Sequence, residues 1–261
     1  MSSASPGSHA QTAPFSGTTA LVVGASGGIG RAVARELHRL GAEVRIHGRD
    51  RRRIEALVTE LQRNGGRAHP VVQVLEPDAP LDAAVETVLA GDVPDIVVVS
   101  YGPFIEQQLL QTDGCEWRRL YEANVMLPVL LGQRCLPTMM QRGFGRMLVF
   151  GGTGTDQIRG YRTIGAYSAV KTALMSWVKS AAAEVAGRDV AVSAICPGYV
   201  ETEYLDQAAL ARYSRRVAGG RLSTPQEVAY AAVTLLDPRS ALMNGAVIAL
   251  DGAGATAVRT I

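Results

Sequence analysis

Short apolar runs alternate with longer amphipathic segments from Thr18 onward, and this alternation restricts the fold more than any other feature. The runs cover residues 20–23, 44–46, 71–74, 96–99, 147–150, 190–195 and 246–250, and several are apolar at every position. Strands buried on both faces read this way, and they belong to parallel sheets covered by helices above and below. The intervening segments 29–40, 51–64, 81–90, 116–142, 166–186 and 225–236 carry helical patterning. Gly41, Gly65 and Gly187 stand where three of them should stop. Repeated strand–helix alternation predicts an α/β fold: a doubly wound parallel sheet of Rossmann type with helices on both faces. No linker interrupts the pattern, so residues 18–261 are expected to form one domain.

Composition narrows the partners. The chain has 261 residues, of which 47% are hydrophobic, enough for a large core. A formal net charge of +2 is too even to point to nucleic acid or an anionic membrane. Cys115, Cys135 and Cys196 are odd in number and widely spaced, which fits a reducing compartment and argues against disulfides or a zinc site. Residues 1–17 are mostly small and polar, without the basic start and apolar run of a signal peptide, and are expected to be a flexible tail. No apolar stretch approaches the roughly 18 residues needed to span a bilayer. A cytoplasmic location is therefore expected.

Two motifs carry chemistry. The first is Gly24-Ala25-Ser26-Gly27-Gly28-Ile29-Gly30, between the first strand and the first helix. Glycines there allow a tight turn and a close backbone approach to a diphosphate, and the helix N-terminus supplies N–H donors and a positive dipole end. Gly24, Ser26, Gly28, Ile29 and Gly30 are the expected contacts. The second is Tyr167-xxx-Lys171 at the head of an apolar helix. The i, i+4 spacing puts both side chains on one face. An ammonium beside a phenol favours the phenolate, which makes Tyr167 a candidate general acid.

The second strand ends at His47-Gly48-Arg49. NAD-binding folds of this type commonly place an acid there, on the ribose hydroxyls. Counting from Gly41, that position is Gly48, and Arg49 follows. A guanidinium suits a 2′-phosphate, so NADPH is expected in preference to NADH.

With these motifs in sequence order, the chain from Thr18 to Gly252 resembles the short-chain dehydrogenase/reductase family. Its nearest pattern is that of NADPH-dependent ketoreductases of the 3-oxoacyl-acyl-carrier-protein reductase type. The resemblance implies that Lys171 also holds the nicotinamide ribose, and that Asn124 in Glu122-Ala123-Asn124-Val125 supports a water-mediated proton relay. Pro197-Gly198-Tyr199-Val200-Glu201-Thr202 resembles the family segment that holds the nicotinamide carboxamide, with Val200 and Thr202 as contacts. Residues 203–220 would be a substrate lid. A homo-oligomer, most simply a tetramer, is expected through segments 116–142 and 166–186.

Three departures stand out. The family's Asn-Asn-Ala-Gly reads Val99-Ser100-Tyr101-Gly102; Gly102 remains a cofactor contact, and Ser100 is the candidate to take part of the asparagines' bracing role. The adenine-contacting acid is replaced by Leu75. The catalytic serine is absent: alignment from Arg146 puts it at Gly152, and counting back from Tyr167 puts it near Gly154. Thr153 is the first candidate to supply the hydroxyl and Thr155 the second, and a loop with no hydroxyl role is the third possibility. The leading reading is an NADPH-dependent carbonyl reductase or alcohol dehydrogenase acting on a small ketone or alcohol. The alternative is a dinucleotide-binding regulatory or scaffold protein whose chemistry has decayed. An epimerase or dehydratase of the extended relatives fits less well, because little chain follows Gly198.

Overall fold

The computed structural model describes residues 13–75, 80–89 and 91–253. Seven strands form one parallel sheet: β1 (Thr19–Val23), β2 (Glu43–Gly48), β3 (Ala68–Val72), β4 (Ile96–Val99), β5 (Gly145–Phe150), β6 (Val190–Pro197) and β7 (Val247–Leu250). Their spatial order is β3-β2-β1-β4-β5-β6-β7. The chain winds outward from β1 to β3, then crosses back to lay β4 on the other side of β1. A crevice opens at such a switch point, outside the C-terminal strand ends.

Helices α1 (Gly28–Arg39), α2 (Arg51–Arg63) and α8 (Pro225–Leu236) cover one face, and α3 (Leu81–Leu89), α5 (Leu127–Arg142) and α6 (Gly165–Glu184) cover the other. Strand alternation feeds both layers. Ala20 and Val22 of β1 pack in the layer holding Val33, Leu37 and Val228. Leu21 and Val23 pack in the layer holding Leu131, Met139 and Leu174. Full burial of one such side chain contributes roughly 1.5–3 kcal/mol. A half-exposed ion pair such as Arg35–Glu60 contributes at most about 1 kcal/mol, so the two apolar layers hold the sheet.

Three expectations need correction. The third strand runs over Ala68–Val72 rather than 71–74. Pro70 discounts a strand by eye, but β3 is an edge, where a missing N–H costs no ladder bond. The helix expected over 116–142 is broken into α4 (Gly114–Tyr121), a π-helical turn at Glu122–Met126, and α5. The lid contains a helix, α7 (Gln207–Ser214), whose N-cap Asp206 accepts a hydrogen bond from Ala209 N–H. Finally, the tail does not extend to residue 17. Phe15 is buried, and its N–H donates to Leu40 O. Residues 1–12 of the expected tail, and Ala90 at the end of an expected helix, lie outside the described residues. Among the described residues no helix is long and apolar enough to cross a membrane.

Candidate active site

The C-terminal strand ends frame a cleft of about 910 Å³, lined by the glycine loop, the end of β2, the start of the segment after β4 and the π-helical turn. The glycine loop adopts the shape a dinucleotide needs. Gly24 has φ +87°, and a Cβ on it would lie 2.7 Å from Tyr101 N. A Cβ on Gly30 would collide with Gly24 O, so glycine there lets α1 start tight against the turn. Helix α1 opens at Gly28, and Gly28 and Ile29 line the cleft. Ser26 lines the same cleft. This cradle fits the diphosphate of a dinucleotide: backbone donors, no intruding Cβ and a positive helix end.

His47 braces the loop, a role the sequence reading did not assign. Its Nδ1 accepts from Gly24 N–H at 3.4 Å, so Nε2 carries the proton and donates to Gln73 O at 3.1 Å. Burial pushes its pKa down to about 4. The unfolded chain takes up a proton near 6.5 and the folded chain resists until about 4. Stability contributed by neutral His47 is therefore full above pH 6.5 and falls as pH drops through this window, by about 3 kcal/mol in total. Urea midpoints are expected to fall less steeply between pH 6.5 and 4.5 in His47→Gln than in the unmodified chain. Equal slopes would refute the assignment.

Beside it, a side chain at Gly48 would require Ile54 to shift. A Cβ there would lie 2.7 Å from Ile54 Cδ1 and 3.1 Å from Ser26 Cβ. Arg49 is exposed on the cleft wall and makes no hydrogen bond or ion pair among the described residues. Arg53 lines the same wall, one turn into α2. Leu75 also reaches the cleft, at the position expected for an adenine-contacting acid.

Tyr167 and Lys171 lie on the first turns of α6, and the Lys171 Nζ sits 5.8 Å from the Tyr167 ring centroid. Lys171 is buried, and its Nζ donates to Phe150 O at 2.7 Å. Burial lowers its pKa to about 8. Burial also raises the Tyr167 phenol above its ordinary range, with Cys196 adding to the rise. Phe104 packs edge-on against Tyr167, with ring centroids 5.0 Å apart.

The π-helical turn positions Asn124. Its Nδ2 donates to Leu120 O at 2.9 Å and to Pro103 O at 3.2 Å. Its Oδ1 is buried with no hydrogen-bond partner among the described residues. A Cβ on Gly102 would collide with that oxygen and come within 3.3 Å of Lys171 Nζ, so Gly102 is what lets the two side chains approach. An orphaned acceptor beside a buried ammonium is the setting for a bridging water. Ser100 N–H donates to Val23 O at 2.9 Å, which ties this segment to β1.

The loop after β5 brings Gly152, one of the two expected serine positions, against Tyr167. A Cβ on Gly152 would lie 2.8 Å from Tyr167 Cε1 and 3.2 Å from its phenol oxygen. Thr155 is buried; its Oγ1 accepts from Gly152 N–H at 2.8 Å and donates to Gly152 O at 2.9 Å. Thr153 is half-buried and donates to Pro197 O at 3.3 Å. Gly198 passes so close to Asp251 that a Cβ would lie 2.9 Å from its Cα. Val200 bridges Ser223, and Thr202 lines the cleft with its methyl toward Gly28.

A Rossmann-type sheet with this cradle, and a tyrosine and lysine beside it, defines an NAD(P)-dependent oxidoreductase. Residues 24–256 match the family described as Enoyl-(Acyl carrier protein) reductase. The chain is 32% identical to the 3-oxoacyl-[acyl-carrier-protein] reductase of Escherichia coli over 244 residues, covering 91% of this chain and 97% of that one. It is also similar in structure to a 3-oxoacyl-(acyl-carrier-protein) reductase of Agrobacterium tumefaciens with NADP bound. That match has a TM-score of 0.84 and 29% identity, and covers 94% of this chain and 97% of that one. An actinorhodin polyketide ketoreductase variant with NADPH matches with a TM-score of 0.81 and 26% identity, covering 90% and 96%. The chain belongs to the short-chain dehydrogenase/reductase family and is of its ketoreductase type.

Proposed function

We propose that this protein is an NADPH-dependent carbonyl reductase, able to run in reverse as an alcohol dehydrogenase, for a 3-oxoacyl or polyketide-type ketone. The observation that carries the reading is the meeting of Tyr167, a buried Lys171 and the orphaned Asn124 oxygen beside the dinucleotide cradle. When bound, the cofactor supplies the hydride. Gly24, Ser26, Gly28, Ile29 and Gly30 hold its diphosphate, and Gly102, Pro197, Gly198, Val200 and Thr202 shape the nicotinamide end. Tyr167 gives its phenolic proton to the carbonyl oxygen of the substrate. Lys171 holds the ribose hydroxyls and offsets the charge left on the phenolate, and a water on Asn124 returns the proton. Thr153 supplies the hydroxyl that orients the carbonyl oxygen. The names of the Escherichia coli and actinorhodin relatives support the substrate class.

Arg49 is the candidate determinant of cofactor choice, and the glycine at position 48, which carries no carboxylate, supports it. NADPH is expected to bind at least tenfold more tightly than NADH, on the order of one charge-assisted contact. In Arg49→Ala the gap should shrink toward unity. Calorimetric titration showing equal affinity for both dinucleotides in the unmodified chain would sink this.

Gly152 in the serine position favours a second reading, a dinucleotide-binding regulatory protein without turnover. A screen of NADPH oxidation against acyl-thioester, aromatic and cyclic ketones separates the two. Tight NADPH binding with no oxidation across all three classes would favour the second.

A further inference from the structure

The diphosphate cradle holds an anion that belongs to the chain itself. Glu203, the first residue of the lid, reaches back to the N-terminus of α1, a helix of 12 residues. Its Oε2 accepts from Gly28 N–H at 3.1 Å, and its Oε1 pairs with Arg31 Nη2 at 2.8 Å. A Cβ on Gly27 would collide with this same carboxylate. The next residue acts at the other phosphate position. The Tyr204 hydroxyl lies against Gly27 and 3.5 Å from Arg53 Nη1, on the wall that also carries Arg49. Farther along the lid, Arg212 of α7 pairs with Glu106 at 3.7 Å.

We infer that Glu203 is an internal competitor for the cofactor's diphosphate: it latches the lid to the cradle in the cofactor-free chain and must be expelled for the dinucleotide to bind. The inference rests on the cofactor reading above. The physical basis is direct. Gly28 N–H and the α1 dipole end are the groups a diphosphate needs, and a carboxylate already uses them. Two anions cannot share that position. Once Glu203 leaves, the Arg31 guanidinium can pair with a phosphate oxygen in its place, and the lid loses its anchor at residues 203–204. Cofactor binding and release of the lid are thereby coupled through one carboxylate, which makes Glu203 a determinant of cofactor affinity rather than a catalytic residue.

Glu203→Gln tests this, because it removes the charge and keeps the shape. The Arg31 and Glu203 side chains are each about one-third exposed, at 35% and 31%. The lost contacts are therefore one screened ion pair and one charge–dipole contact. Calorimetric titration of the full chain is expected to give an NADPH Kd roughly three- to tenfold lower in Glu203→Gln than in the unmodified chain. In the absence of cofactor, trypsin should cut faster after Arg212, Arg215 and Arg216 in the variant, since the lid is no longer pinned. An unchanged or raised Kd in Glu203→Gln would overturn the inference, as would unchanged tryptic cleavage. Failure of the unmodified chain to bind any dinucleotide would overturn the cofactor reading and this inference with it.

Discussion

Tyr167→Phe is expected to lower ketone reduction by roughly 10²–10⁴-fold while leaving the NADPH Kd within about twofold of the unmodified value. The change deletes one oxygen and keeps the ring. The ring is what Phe104 packs against at 5.0 Å and what fills the space over Gly152, so the wall of the site should survive. The oxygen is the transferable proton's carrier. A phenol is protonated at neutral pH, and burial moves its pKa further up; that is the state in which it can act as an acid toward a carbonyl oxygen. The measurement is kcat from NADPH oxidation at saturating ketone, beside a calorimetric Kd. A variant that keeps most of its kcat would remove Tyr167 from the mechanism. A variant that loses cofactor binding as well would show that the phenol holds the dinucleotide rather than the substrate.

Much of this site was legible in the sequence, and the reason is local. A glycine loop, a Tyr-xxx-Lys pair and a Pro-Gly turn are short patterns whose spacing alone sets their geometry. The strands were legible because burial on both faces leaves few positions that tolerate a polar residue. The remaining features depend on residues far apart in the chain. Nothing near His47 shows that its ring accepts from Gly24 N–H, 23 residues away. Glu203 reads as an ordinary lid residue until the fold brings it to Gly28, 175 residues away. The π-helical turn at Asn124 was hidden for another reason. Helical patterning continues through it, and the signal was an asparagine and Pro128 inside a run that otherwise reads as one helix. Phe15 was missed because its polar neighbours outweighed the one aromatic residue that anchors the segment.

Thr153→Ala is expected to lower kcat by roughly 10²-fold or more with cofactor affinity little changed, the loss typical of one positioned donor in such a site. Gly152 cannot supply the hydroxyl, and the Tyr167 ring stands 2.8 Å from where its Cβ would be. Thr155 cannot supply it either: its hydroxyl is buried and donates to Gly152 O while accepting from Gly152 N–H. Thr153 is half-buried, and its bond to Pro197 O is long at 3.3 Å, so a substrate oxygen can replace that acceptor at small cost. Gly154 follows with φ +69°, a left-handed turn that sets the direction of the loop. Thr153→Ser keeps the hydroxyl and should keep the rate. Thr155→Ala should act differently, leaving Gly152 N–H without its acceptor while Gly152 O keeps the Thr155 backbone N–H, and lowering stability by about 1–3 kcal/mol. Its signature is a lower melting temperature, with a smaller loss of kcat than in Thr153→Ala. Steady-state kinetics and thermal melts on the three variants separate these roles. If Thr153→Ala retains full kcat, no loop hydroxyl holds the carbonyl, and proton donation and orientation both fall to Tyr167.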